Sequence, residues 1–343
     1  MAEIALGEQE SQSSVGIAEK GLLRRIIGMR EFGIAMAALG MFVVLSILRP
    51  NTFFTEANFL RIAQSISILT IIATGMTFLF IAGELDLSVG TMHGLLAMFL
   101  SIAMYTHNVP PILAVPATIV VGVLLGAFNG MITTFFGVPS FIVTLGMMSV
   151  FVGLQLAWVR VPPFPSREWK ADHEWFVTMM SERLWGSVPV QVFWMLAVVI
   201  VGSFVLAKTK FGYHVYATGS NPEAASNAGI NTRRVKIICF MILGGLTGLA
   251  SSVLIGWIGS TSRGYGQGYE LDVIAAVVIG GTNLFGGIGS VLGTFLGGAI
   301  TGMLNNGLVL LGAEQETIPI AIGTVIVLAV VLDVAIRKRQ RIG

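Results

Sequence analysis

The sequence predicts an all-α, polytopic membrane protein, and three observations carry that prediction. Of 343 residues, 55% are hydrophobic and 11% charged, with a mean hydropathy of +0.84; soluble domains hold about a quarter charged residues. The apolar residues come in continuous runs of roughly 17–25, the length a helix rising 1.5 Å per residue needs to cross about 30 Å of hydrocarbon. They do not alternate as membrane β-strands must. Glycine is the third signal: 42 residues, about 12% where about 7% is usual. In lipid, small residues let helix backbones approach closely.

Taken in order, the runs place spans at roughly 32–50, 62–82, 91–107, 112–135, 141–159, 188–207, 237–258, 271–283, 288–311 and 318–336. That makes about ten, with both tails on one side. The eighth is too short to cross as a regular helix; it is partial, or it borrows from its glycine-rich flanks. The first 20 residues lack the basic-then-apolar pattern of a cleaved signal peptide. Just after them, Leu22, Leu23, Ile26 and Ile27 lie among Lys20, Arg24, Arg25 and Arg30. This reads as a short interfacial helix feeding an uncleaved first span, or as a plain charged flank. The chain therefore divides into a tail at 1–31, a membrane domain at 32–336 and a tail at 337–343.

Basic residues orient membrane proteins, because cytoplasmic loops hold the excess of Lys and Arg. Lys20, Arg24, Arg25, Arg30, Lys208, Lys210, Arg233, Arg234, Lys236, Arg337, Lys338, Arg339 and Arg341 fall on one side. Only Arg49, Arg61, Arg160, Arg167, Lys170, Arg183 and Arg263 fall on the other. Both tails and the 208–236 loop are thus expected in the cytoplasm, and the 160–187 loop outside. Trp158, Trp169, Trp175, Trp185 and Trp194 cluster around that external loop, as in an interfacial aromatic belt. Its acids balance its bases, giving a neutral surface that touches an outside partner or is simply solvated.

Two short echoes suggest an inverted internal repeat. GELDLSVG at 83–90 resembles GYELDVIA at 268–275, and GAFNGMI at 126–132 resembles GAITGML at 298–304. Under the ten-span reading each pair runs in opposite directions across the membrane, an arrangement common in transporters.

Reactive constellations are missing. No G-x-x-x-x-G-K-[ST] phosphate loop occurs, and GGTNLFGGIGS at 280–290 lacks the strand and soluble α/β unit of a nucleotide fold. The four histidines are scattered, and the lone Cys239 allows no intrachain disulfide or cysteine metal site. No cofactor and no nucleic-acid partner are expected for this chain, and the formal charge of +2 says little by itself. Glu84, Asp86, Glu270 and Asp272 sit at predicted span edges, where a charge costs little. They read as helix caps or as contacts along a translocation path, together with Ser88. Asn129, Asn305 and Asn306 lie within spans and need a neighbouring helix or a polar ligand to satisfy them.

The most informative stretch is the basic loop 208–236. Asn221-Pro222 predicts a turn, Glu223-Ala224-Ala225 are good helix formers, and Gly229 stands where a helix of about two turns would stop. Such a helix is too short to hold alone and gains stability by docking. The pattern Glu223-Ala224-Ala225-x-x-x-Gly229 resembles the cytoplasmic coupling motif of ATP-binding-cassette importer permeases. With FGYHVYATGSNPEAASNAGINTRRVK, GELDLSVG and the run GYELDVIAAVVIGGTNLFGGIGSVLGTFLGGAITGMLNNGLVLLG, the chain resembles permease subunits of the ribose/xylose-type monosaccharide importers from about residue 36 to 336.

The resemblance implies an inner-membrane permease paired with a second copy or a paralogue. A cytoplasmic ATPase would bind ATP and Mg, and a periplasmic sugar-binding protein would deliver the cargo. It implies ATPase contacts at Glu223, Ala224, Ala225 and Gly229, with Arg233 and Arg234 at the rim. Other readings are an ion-coupled secondary sugar transporter, which would normally need an ionisable residue in mid-span, a passive channel and a membrane-embedded enzyme.

Overall fold

The computed structural model describes residues 30–158, 160–184, 188–328 and 331. The interfacial-helix segment before residue 30, the tail 337–343 and the last residues of the tenth expected span lie outside the described residues. The chain is a bundle of helices: α1 (Arg30–Leu48), α2 (Pro50–Phe53), α3 (Glu56–Ile81), α4 (Val89–Ser101, prolonged by a π-helical turn at Ile102–Thr106) and α5 (Pro111–Phe136). There follow α6 (Ser140–Trp158), α7 (Arg167–Asp172), α8 (Glu174–Ser181), the strands β1 (Arg183–Leu184) and β2 (Val188–Pro189), and α9 (Val190–Lys208). The remainder are α10 (Lys210–Ser220), α11 (Pro222–Asn227), α12 (Thr232–Ile258), α13 (Tyr269–Ile279), α14 (Val291–Leu310) and α15 (Ile318–Leu328). Helix starts follow local chemistry. The side chains of Thr55 and Ser290 accept from the free N–H groups of Asn58 and Gly293 at the heads of α3 and α14.

Contacts sort the helix ends into two levels. At the lower end the Gly287 N–H donates to the Ile81 carbonyl at 2.9 Å, and Ser290 donates to Glu31 at 2.9 Å. At the upper end Ser260 donates to the Pro163 carbonyl at 2.8 Å, and Arg263 to the Leu156 carbonyl at 2.7 Å. The long helices run between these levels in alternating directions. Helix α3 is the axis, buried over 83% of its apolar window, whereas α5 and α6 are buried over only 28%. Their outer faces expose Leu113, Phe128, Phe136, Phe141 and Leu145. Hydrocarbon is the natural solvent for such a surface.

Seven helices are long and apolar enough to cross a membrane among the described residues: α1, α3, α4 with its π turn, α5, α6, α9 and α12. The chain is therefore a multi-pass, all-α membrane protein. Three further expected spans take other forms. α14 has 20 residues, but its glycines and Asn305-Asn306 dilute its hydropathy. α15 is a short apolar helix over Ile318–Leu328. α13 has 11 residues, about 16 Å of rise, and so reaches only part of the way. The flanking glycines do not lengthen it: Gly264, Gly266 and Gly268 all adopt positive φ, which breaks helical geometry. Instead the 259–268 segment dips back into the bundle, where Tyr265 and Gly266 lie against Gly94 and Gly90 of α4.

Glycine also permits a close helix crossing. A methyl group on Gly122 of α5 would collide with the Gly244 carbonyl of α12, and one on Gly244 with the Gly122 carbonyl. The two backbones touch because neither carries a side chain there.

Two expectations change. The 160–187 stretch is not a plain solvated loop, because α7 and α8 fold down onto the bundle. Trp169 and Phe176 are buried there, with Trp169 edge-on to Tyr105 at 4.8 Å. Trp169 thus packs in the core, while Trp158 and Trp175 stay exposed as belt residues should. The 208–236 stretch, in turn, holds not one helix but two, because α10 precedes α11.

Candidate functional site

At the lower end, α11 forms as the residues dictate. The Asn221 side chain accepts from the Ala224 N–H at 3.0 Å, and Pro222 starts the helix. The helix closes when the Gly229 N–H donates to the Ser226 carbonyl and the Ile230 N–H to the Ala225 carbonyl. This is a Schellman cap around Gly229, whose φ is 85°. Pro222, Glu223, Ala224 and Gly229 face outward. Ala225 does not; it is buried in the chain's own packing because the two-turn helix must turn one small face inward. Gly229 has nothing within 4 Å of where a side chain would begin.

The platform is fastened to the bundle. Gly219 of α10 sits against the Ile81 carbonyl, and Tyr216 donates to the Gly289 carbonyl at 2.7 Å. Burial, with a further contribution from the Glu31 carboxylate, raises the Tyr216 pKa above the ordinary tyrosine range. Lys236 of α12 pairs with Glu84, just beyond α3. Helix α10 thus touches the end of α3 and the 280–290 turn, and the head of α12 touches the α3–α4 junction.

Arg233 and Arg234 are exposed in the first turn of α12. The Arg233 guanidinium stands 5.2 Å from the ring centre of Phe135 on α5, since the first turn of α12 points that way.

The expected path residues fall into two groups. Asp86 accepts from the Ser88 N–H and hydroxyl at 2.7 and 2.6 Å and from Asn129 at 3.1 Å. Asn129 also donates to Ser88. Asp86 is fully buried rather than at an exposed edge; three donors replace its water. It accepts from the N–H of Ser88, the residue before α4, and so closes the turn that leads into that helix. Asp272 is not a cap, because α13 begins three residues earlier at Tyr269. Asn305 donates to it at 3.3 Å, and Asn306 donates to Asn58 at 2.8 Å.

Glu270, between the groups, reaches back to accept from the Gly268 N–H at 3.2 Å, while its second oxygen lies over Gly90 without a partner. Glu270 is the second residue of α13, and this reach ties its side chain to the residue before the helix.

The second group lines an upper-end cavity of about 910 Å³ with Arg61, Gln267 and Tyr269. The side-chain oxygens of Asn305 and Asn306 have no hydrogen-bond partner. A cavity of this kind offers amide oxygens, a carboxylate and aromatic faces to a polar, uncharged guest. Gln267, Tyr265 and Tyr269 escaped the sequence reading. Their signal was the alternation of glycines in RGYGQGYE at 263–270, which marks non-helical backbone inside an apolar region.

This bundle, with a fastened platform below and a polar cavity above, defines a transport permease. Residues 58–332 match the family described as the branched-chain amino acid transport system / permease component, and the chain belongs to that family. Among curated proteins it is 34% identical over 310 residues to the ribose import permease protein RbsC of Haemophilus influenzae, covering 90% of this chain and 94% of that one. It is 36% identical to RbsC of Escherichia coli K12, covering 87% and 92%, and 32% identical to the fructose import permease protein FrcC of Rhizobium meliloti, covering 86% and 83%. No solved structure matches the chain significantly.

Proposed function

We propose that the chain is the membrane permease of an ATP-binding-cassette importer that carries a monosaccharide, a pentose or hexose, across the bacterial inner membrane. The observation that carries this reading is the α10–α11 platform, capped, outward-facing and tied to Ile81 and Gly289. In this reading both tails and the platform lie in the cytoplasm and the 160–187 segment faces the periplasm. A separate ATPase binds ATP and Mg, closes on nucleotide, and pushes on α11 through Glu223, Ala224 and Gly229. A periplasmic sugar-binding protein docks above the cavity, and a second permease copy or paralogue completes the pathway.

Ten passes related by an inverted repeat fit this reading, with α13 as a partial pass. In support, the paired ELD segments each place an aspartate beside an asparagine of a later helix, Asp86 by Asn129 and Asp272 by Asn305. The relatives carry ribose, fructose or xylose in their names. The hydroxyl-matching lining suits a sugar better than the aliphatic side chain of a branched-chain amino acid.

The test is sugar uptake by proteoliposomes holding the permease, its ATPase and its binding protein. Uptake should need ATP and survive an uncoupler. Uptake by the lone chain, or its collapse under an uncoupler with ATP held constant, would overturn the reading. Replacing Gly229 by Asn, which tolerates the left-handed backbone, should leave insertion intact yet uncouple ATP hydrolysis from uptake. Unchanged uptake in that variant would remove Gly229 from the docking surface.

A further inference from the structure

We propose that a groove at the lower end, between α5 and α12, binds an anionic phospholipid, with its phosphate at Arg233 and Arg234 and an acyl chain along the apolar side. The groove encloses about 570 Å³. Asn231, Arg233 and Arg234 line its polar side, and apolar side chains such as Met131, Phe135 and Met241 line the rest, with Met131 and Phe135 reaching the surface. No acid lines it, and among the described residues neither arginine is paired with an acid. These residues also form the N-terminus of α12, whose first turn holds no acid and whose dipole favours negative charge, although the Arg234 N–H is already capped by the Asn231 side chain.

The groove's walls continue onto the bilayer-facing surface. Phe135 is 58% exposed and the neighbouring Phe136 is 79% exposed. A soluble acidic segment would leave the apolar side unfilled, and a neutral lipid would leave two cations unmatched. An anionic phospholipid covers both. Arg233 is already held over Phe135, so its guanidinium is positioned where a headgroup meets the first carbons of its chain. This inference rests on the membrane location of α5 and α12 and is independent of what the protein transports.

The experiment is native mass spectrometry of the full chain after equilibration with equal phosphatidylglycerol and phosphatidylcholine. Each arginine near an anionic headgroup contributes about fivefold to its retention. The native chain should hold phosphatidylglycerol in preference by well over fivefold. R233Q/R234Q should approach parity, and R234Q alone, at an exposed helix start, should lose about fivefold. Met131→Trp, which fills the apolar side and keeps both charges, should reduce retention of the whole lipid. Parity in the native chain, or an undiminished preference in R233Q/R234Q, would overturn the proposal. So would glycerol phosphate competing as well as the intact lipid, because the acyl chain would then contribute nothing.

Discussion

Asn129 and Asp86, 43 residues apart, are joined inside the bundle by a 3.1 Å hydrogen bond from the asparagine amide to the carboxylate. The same amide nitrogen donates to Ser88 at 3.1 Å. The three residues fix the head of α4 against α5. Asp86→Ala would remove the acceptor of the Ser88 N–H and hydroxyl and one of the two acceptors of the Asn129 amide. It should lower stability by about 1–3 kcal/mol, read as an earlier thermal transition in detergent, while Asp86→Asn should lose less. Equal transitions for the alanine variant and the native chain would remove this cluster from the fold's support.

The α5–α12 crossing gives a second expectation. Gly122→Val must push the two backbones apart, since a side chain there meets the rigid Gly244 carbonyl first, with Leu96 close behind. Overpacking of this kind costs about 1–3 kcal/mol. By contrast, Gly146→Ala on α6, where nothing lies within 4 Å, should be neutral or slightly stabilising. The comparison separates crowding from a general intolerance of glycine replacement.

The ion pair between Lys236 and Glu84 links the head of α12 to the α3–α4 junction, and both side chains are largely shielded. A double-mutant cycle with Lys236→Met and Glu84→Gln should give a coupling energy of about 0.5–3 kcal/mol. If the pair also passes motion from the platform, each single variant should lower uptake per ATP hydrolysed more than it lowers stability. Proportionate losses would assign the pair to the fold alone.

In the upper cavity, Asp272→Ala removes the only carboxylate among the described lining residues and the partner of Asn305. Uptake should fall about tenfold or more, the size of a lost hydrogen bond to a charged group. ATP hydrolysis by the assembled complex without sugar-binding protein should stay near its native value. Parallel loss of both would show a structural role instead.

Sequence by itself determined the chemistry of the solvent. Apolar runs in a chain with 11% charged residues fit only a lipid-embedded helical body, and the capping pattern around Asn221 and Gly229 fixed a short helix because those signals act over four or five neighbours. It did not reveal α10, because KFGYHVYATGS is a weak helix former held by its docking against Ile81 and Gly289. Nor could it divide Glu84, Asp86 and Asn129 from Asp272, Asn305 and Asn306, pair Lys236 with Glu84 across 152 positions, or turn Arg233 toward Phe135. Those outcomes depend on which helix faces meet. Glycines such as Gly122 and Gly244 permit that close meeting, but only the packed bundle decides which pairs make it.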